Sequence, residues 1–218
     1  MCGRFTLYHD DLDLSRLLGV DGLVLVPRYN VAPTSEVAWV RQRADGSRET
    51  LRGRWGLVPH WVDDPERFRA TLFNARSETA GEKPSFRDAL RRARCAVPVS
   101  GFYEWRRQGE RKQPLHVVRA DGAPMLLAGL YAERRGLNSV AVLTCAPNAL
   151  MATLHDRMPV VLDPADLERW LDPTLTQPEA VVDLMVSCPD EWLDAYPVDP
   201  RVGNARIDDS ALVQAVTV

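Results

Sequence analysis

A cysteine stands second in the chain, in the opening MCGRF, where a thiol has chemistry open to it that it has nowhere else. If Met1 is removed, Cys2 carries a free α-amine and a thiol on adjacent carbons. The amine titrates near pH 8 and the thiol at about 8.5, so both keep a reactive fraction at neutral pH. Such a pair can condense with an aldehyde through nitrogen and then close a five-membered thiazolidine through sulfur. The second bond is intramolecular and gains the high effective molarity of a tethered group. The same terminus could instead attack an amide as an N-terminal nucleophile. The competing reading is a small buried apolar filler, since cysteine is among the most buried residue types.

Internal stretches carry further candidates. In LFNARSETA, an extended backbone puts Asn74 and Arg76 on one face, an amide beside a guanidinium, suited to an anionic or polyhydroxy ligand. The alternative is a polar strand end. In VSGFYEWRR, Phe102 and Glu104 share one strand face and Tyr103 and Trp105 the other. Burial of Glu104 would raise its pKa and equip it for proton transfer, whereas an edge position would pair it with a nearby arginine. In ATLHDRMPVVL, His155 precedes Asp156 and Arg157, either as a proton-shuttling imidazole with a carboxylate to set its tautomer or as a surface turn before a strand. RYNVAPT places Pro33 in non-helical backbone, and RGRWGLVPHWVDD interleaves Arg52 and Arg54 with Trp55 and Trp61. Guanidinium groups meet phosphates and ring faces accept unpaired bases, so this interleaving suits single-stranded nucleic acid. At least one of the two tryptophans is expected in the core.

The elements that must hold these residues are mostly strands. Asp45-Gly46, Gln108-Gly109 and Asp121-Gly122 each stand between strand-like runs and read as hairpin turns. RCAVPVSGFYEW and SVAVLTC are further strand candidates, rich in β-branched and aromatic residues. DDLDLSRLLG spaces Leu14, Leu17 and Leu18 at helical intervals and stops at Gly19. DPADLERWLDP begins with Asp163 as N-cap and Pro164 in the first turn, and QPEAVVDLMV is a third helix candidate. The fold class predicted is α+β, one domain over 1–218 with a mostly antiparallel, barrel-like β core flanked by helices.

Composition bounds the partners. Of 218 residues, 45% are hydrophobic and 26% charged, a globular balance. The four cysteines lack zinc-ligand spacing, so no metal and no cofactor is expected, and the thiols are expected to be reduced in the cytoplasm. No secretion signal is legible, and no apolar run approaches a membrane span, so no membrane association is expected. Net charge is −3, but it is unevenly spread. Residues 1–112 hold 20 basic against 15 acidic groups, and residues 113–218 hold 7 against 15. A nucleic-acid path must therefore be local.

Taken in order, MCGRF, RYNVAPT, WGLVPHW, FNARSET, GFYEW, KQP, HDRMPVVL and YPVDPRVGN resemble the SOS response associated peptidase (SRAP) family, from Cys2 to about Asn204. The resemblance implies an abasic-site sensor acting on single-stranded DNA. It implies that Cys2, exposed by self-removal of Met1, traps the ring-opened sugar as a thiazolidine and so prevents strand cleavage. By position in the matching motifs, Asn74 would hold Cys2 and the sugar, Glu104 would assist ring opening and proton transfer, and His155 would be the acid/base partner at the sugar oxygen. Arg4, Arg76 and Arg157 would contact phosphates, and Pro33 and Trp61 would wedge or stack where the strand bends. A monomer, nucleoid-associated when bound to DNA, is expected. Two other classes compete. An N-terminal nucleophile amidotransferase also begins Met-Cys-Gly but should release ammonia from glutamine. A non-covalent single-strand binder should hold intact and abasic strands equally.

Overall fold

A computed structural model describes residues 2–65, 67–109 and 111–217, without the side chains of Gln108 and Arg111. Met1, whose removal the family resemblance implies, lies outside the described residues. In chain order the strands are β1 (Phe5–Leu7), β2 (Arg28–Val31), β3 (Glu36–Gln42), β4 (Arg48–Trp55), β5 (Asn74–Arg76), β6 (Arg94–Val99) and β7 (Gly101–Gln108). They continue as β8 (Arg111–Arg119), β9 (Met125–Arg134), β10 (Leu137–Cys145), β11 (Met158–Pro159), β12 (Val161–Leu162) and β13 (Leu193–Pro197). The helices are α1 (Asp11–Leu18), α2 (Ser77–Ala80), α3 (Arg87–Arg92), α4 (Ala149–Ala152) and α5 (Leu167–Leu171).

Five strands close into a barrel in the order β10–β4–β3–β6–β9, because β9 pairs with β10 again. Every junction is antiparallel except that of β10 with β4, which is parallel. Closure there requires close backbone approach: a Cβ on Gly53 would lie 2.3 Å from the Asn138 carbonyl oxygen. Trp39, Val40, Leu127, Val140 and Val142 are among the buried apolar side chains of these strands. A closed barrel leaves no unpaired edge among its members. β5 lies parallel to the end of β10, β11 pairs the same end, and β12 pairs β9. The second sheet is open and antiparallel, in the order β13–β8–β7–β1–β2. This is the α+β architecture with a mostly antiparallel barrel that the sequence predicts.

The turns need two corrections. Asp45-Gly46 and Gln108-Gly109 close hairpins, β3–β4 and β7–β8. Asp121-Gly122 makes a turn but no hairpin, for β8 belongs to the open sheet and β9 to the barrel. The chain runs on through Ala123 and Pro124, and proline has no N–H to extend a ladder. A hairpin unsignalled in the sequence joins β9 to β10 at Arg135-Gly136, whose φ angles of 50° and 79° suit a tight turn. The run RCAVPVSGFYEW divides at Ser100, passing the chain from barrel to open sheet. Ser100 Oγ accepts from the backbone N–H groups of Tyr8 and His9 at 2.7 and 3.1 Å.

The helices follow their caps. Asp10 accepts from Leu12 N at 2.8 Å to start α1, and Gly19 ends it at φ 63°. Asp163 caps a 3-10 turn, Pro164–Asp166, that runs into α5, with Leu167, Trp170 and Leu171 buried. QPEAVVDLMV forms no α-helix; it makes two 3-10 turns, Pro178–Ala180 and Val182–Leu184. No side chain caps its start, and the β-branched Val181, buried in the core, takes φ −134° and breaks the run. Arg94 ties α5 to the barrel from within: its guanidinium donates to the carbonyls of Trp170, Leu90, Leu175 and Asp172 at 2.6–2.9 Å.

Candidate active site

The register of β1 against β7 decides where the chain start lies. Phe5 stands opposite Phe102, and Tyr103 N donates to Arg4 O at 2.9 Å, so Cys2 and Gly3 run on beside β7 toward Glu104. Cys2 is fully buried. Its carbonyl accepts from Asn74 Nδ2 at 2.8 Å, which ties the open sheet to the strand that β10 carries on the barrel. Asn74 Oδ1 is buried and has no hydrogen-bond partner among the described residues, so the amide retains one acceptor for a ligand.

Glu104 is 3% exposed on β7. Burial raises its carboxyl above the ordinary range, and the neighbouring imidazole of His155 works against that rise. Burial, reinforced by the Glu104 carboxylate, pushes the Cys2 thiol up to about 12. The sulfur is thus protonated at neutral pH and needs a nearby acceptor before it can attack.

His155 sits in the turn between α4 and β11. Two groups meet its Nδ1: the backbone N–H of Arg157 at 2.9 Å and Asp156 Oδ1 at 2.8 Å. Only one can lie in the ring plane as a hydrogen-bond partner. The Asp156 side chain is 82% exposed and the backbone N–H is fixed by the chain; an unprotonated Nδ1 accepts from the N–H, and a protonated one donates to the carboxylate.

Glu104 and His155 share a cleft of about 680 Å³ with Trp105 and Gly203. Arg106, Arg107 and Lys112 line it too. Arg107 and Lys112 are directly opposite in the β7–β8 ladder, an arrangement of like charges that costs stability unless an anion offsets it. Among the described residues no carboxylate pairs with these three cations.

The structure therefore brings Cys2, Asn74, Glu104 and His155 together from four separate segments. The other expected site residues lie elsewhere. Arg76 is exposed at the end of β5. Trp61 is 52% exposed, edge-on to Phe68, while Trp55 is buried and donates to Phe73 O. Pro33 is half-buried in a turn closed by Ser35 N and Ala32 O, and the next residue, Thr34, has φ 75°. Arg4 and Arg157 point their guanidiniums into the protein. Arg4 donates to Asn30 Oδ1 at 2.8 Å and to Val202 O at 2.7 Å, latching the loop that ends in the cleft at Gly203. Arg157 holds Glu78 with both terminal nitrogens.

Sequence reasoning did not single out Asn30, Glu78, Arg106, Arg107 or Lys112. The hairpin signal around Gly109 could have found the last three, since cations flank that turn on both strands. Asn30 and Glu78 act through partners distant in the chain, 26 to 177 positions away, and left no local signal.

Comparison with known proteins agrees with the motif order. Residues 1–205 match the SOS response associated peptidase (SRAP) family, and the chain belongs to it. It is 34% identical to the abasic site processing protein YoqW of Bacillus subtilis, with 99% of this chain and 100% of that protein covered. It is 31% identical to the abasic site processing protein YedK of Escherichia coli, over 99% of this chain and 100% of that one. A crystal structure of a protein from Bacteroides thetaiotaomicron superposes with a TM-score of 0.87 at 26% identity, covering 99% of this chain and all of the other. Among the described residues no helix is long and apolar enough to cross a membrane.

Proposed function

We propose that the protein processes abasic sites in single-stranded DNA by covalent capture through Cys2 after loss of Met1. The observation that carries this reading is the clamp of Asn74 on the Cys2 carbonyl beside the buried Glu104 carboxyl. The names of the relatives support the substrate.

The chemistry balances without a cofactor. An abasic deoxyribose opens to an aldehyde: Glu104 takes the hydroxyl proton, and His155, acting as the imidazolium, gives a proton to the ring oxygen as the C–O bond breaks and is left neutral. The Cys2 amine adds to the aldehyde carbon and expels water, giving an imine. Sulfur then adds to the imine carbon, its proton passing by way of Glu104 to nitrogen, and the thiazolidine is complete. An imine left open would promote β-elimination and strand cleavage; ring closure removes it. Arg76 takes a phosphate on the Asn74 side, and Arg106, Arg107 and Lys112 supply the cations on the other side. Pro33 and Trp61 lie outside the cleft and serve where the strand bends. Arg4 and Arg157, each tied within the protein, would meet phosphate at the margins of the cleft. Self-removal of Met1 is the associated peptidase activity.

Intact-mass measurement before and after incubation with a single-stranded oligonucleotide carrying one abasic site tests the reading. The expected result is loss of methionine, then gain of the oligonucleotide less one water, with nothing gained from intact strands. Cys2→Ala should give no adduct. An equal adduct in Cys2→Ala would overturn the thiazolidine step. Ammonia release from glutamine, or equal non-covalent retention of both strands, would favour the competing classes.

A further inference from the structure

We propose that the same cleft captures small phosphorylated aldehydes, free aldose phosphates the size of one sugar unit, and that such a molecule, once bound through Cys2, blocks the site against DNA. The inference rests on the reading of Cys2 as an aldehyde-trapping aminothiol.

Burial and size point to a single sugar. Cys2 is fully buried and Glu104 is 3% exposed, so the reacting carbon has to enter the protein. A strand can send in only one sugar, and its neighbouring nucleotides stay outside. The groups that do the chemistry therefore meet one sugar whether or not a strand is attached to it. The cleft beside Glu104, at about 680 Å³, also falls within the range of about 300–1,000 Å³ usual for small-molecule sites.

The cations add a place for phosphate. Alternation along β7 puts Arg106 on the face that carries Glu104, two strand steps of about 3.4 Å further on. A five-carbon sugar with its aldehyde carbon at Glu104 carries its terminal phosphate in that direction. Arg106 is exposed and among the described residues has no carboxylate partner. Arg107 and Lys112 stand opposite one another on the other face. Tyr103 N is directed at β1, so by alternation the N–H of Arg107 is also turned away from β8. Arg107 and Lys112 are thus a non-hydrogen-bonded pair, the arrangement that brings side chains closest. Three cations at one hairpin without an acid suit a single phosphate as well as a strand.

The reaction is the one written for the strand. The amine adds to the aldehyde carbon and water leaves, sulfur adds to the imine carbon, and the thiol proton passes to nitrogen. A free sugar lacks the further phosphates of a strand, so it binds more weakly and with less dependence on salt.

The probe is 2-deoxyribose 5-phosphate, with 2-deoxyribose and free cysteine as references. Intact mass should rise by the sugar phosphate less one water, on chains that begin at Cys2. The rate should saturate, with half-saturation about tenfold lower for the phosphorylated sugar than for the plain one. Arg106→Ala should bring the two sugars within about twofold, and Arg106→Lys should restore most of the gap. Glu104→Gln should slow sugar and strand by the same factor. Protein preloaded with the sugar phosphate should form no adduct with an abasic oligonucleotide. A rate that rises linearly and matches free cysteine, equal half-saturation for the two sugars, or preloaded protein that still captures the strand at full rate would overturn the inference. Capture of the oligonucleotide without saturable capture of the sugar sinks this inference alone, and capture of neither sinks the proposed function with it.

Discussion

The closed barrel and the open sheet bury different things. In the barrel the buried polar groups answer to the main chain: Arg94 to four carbonyls within 2.9 Å, Ser139 Oγ to Val58 N, Thr144 Oγ1 to Ala75 O. In the open sheet they answer to main chain and to other side chains as well: Asn30 donates to three carbonyls, and side-chain pairs join it. Thr6 Oγ1 lies 3.1 Å from His116 Nε2, His116 Nδ1 lies 2.9 Å from the Tyr196 hydroxyl, and Arg4 pairs with Asn30. A sheet with free edges can place polar side chains on both faces, whereas a barrel of five strands has room inside only for packed apolar groups. The site takes two residues from each region: Cys2 and Glu104 from the open sheet, Asn74 and His155 from the barrel's rim. The candidate site is thereby assembled at a seam, and the barrel supplies the rigidity that a site needs to hold its geometry.

Variants can break that division, beginning with the largest effect. Arg94→Ala removes the donor to two buried and two part-buried carbonyls and should cost about 3 kcal/mol in urea unfolding, while the folded fraction captures abasic strands normally. Glu104→Gln should do the reverse, slowing capture about a hundredfold in a gel assay with no loss of thermal midpoint, because a general acid–base group is removed and a buried charge with it.

The next effect is pH-dependent. Burial lowers His116 from its ordinary range to about 3. As pH falls below about 6.5 the unfolded chain takes up a proton that the folded chain refuses, so stability is full above that pH and declines by about 1.4 kcal/mol per unit below it. Glu104, raised by burial, contributes the opposite slope, but equally in a His116→Gln variant. The slope of unfolding free energy between pH 6.5 and 5 should therefore be flatter in that variant than in the wild type. Equal slopes would mean that the open sheet's polar network does not carry this linkage. The smallest effect lies on the connection between the regions. Thr34 holds φ 75° between β2 and β3, a conformation costly for a β-branched residue. Thr34→Gly should raise stability by about 0.5–1 kcal/mol, the relief of strain exceeding the loss of chain entropy.

The two regions were also unequally legible. Barrel strands announce themselves, since β3 and β4 flank Asp-Gly and β10 is a run of β-branched and apolar residues. Closure was only a plausible inference, because the parallel contact of β4 with β10 depends on Gly53, whose absent side chain carries no pattern. Asp121-Gly122 misled because its dipeptide specifies a turn and not which sheet receives the strand after it. The site could be listed from motifs, but its convergence could not: Asn74 reaches Cys2 across 72 positions. The inward aim of Arg4 and Arg157 was equally invisible, since an arginine reads the same whether its partner is a phosphate or a carbonyl. Tertiary partners decide that, and short-range spacing does not encode them.

The latch between Arg4 and Val202 has a consequence in time. A bond across 198 positions cannot form until both segments have left the ribosome. Contacts of such separation also form slowly, since the intervening chain must be ordered before they contribute. A nascent chain therefore carries the Cys2 segment long before the wall at Gly203 exists beside it. The enclosure is completed only when the segment around Val202 has emerged, so a product stalled before it would hold Cys2 without that wall.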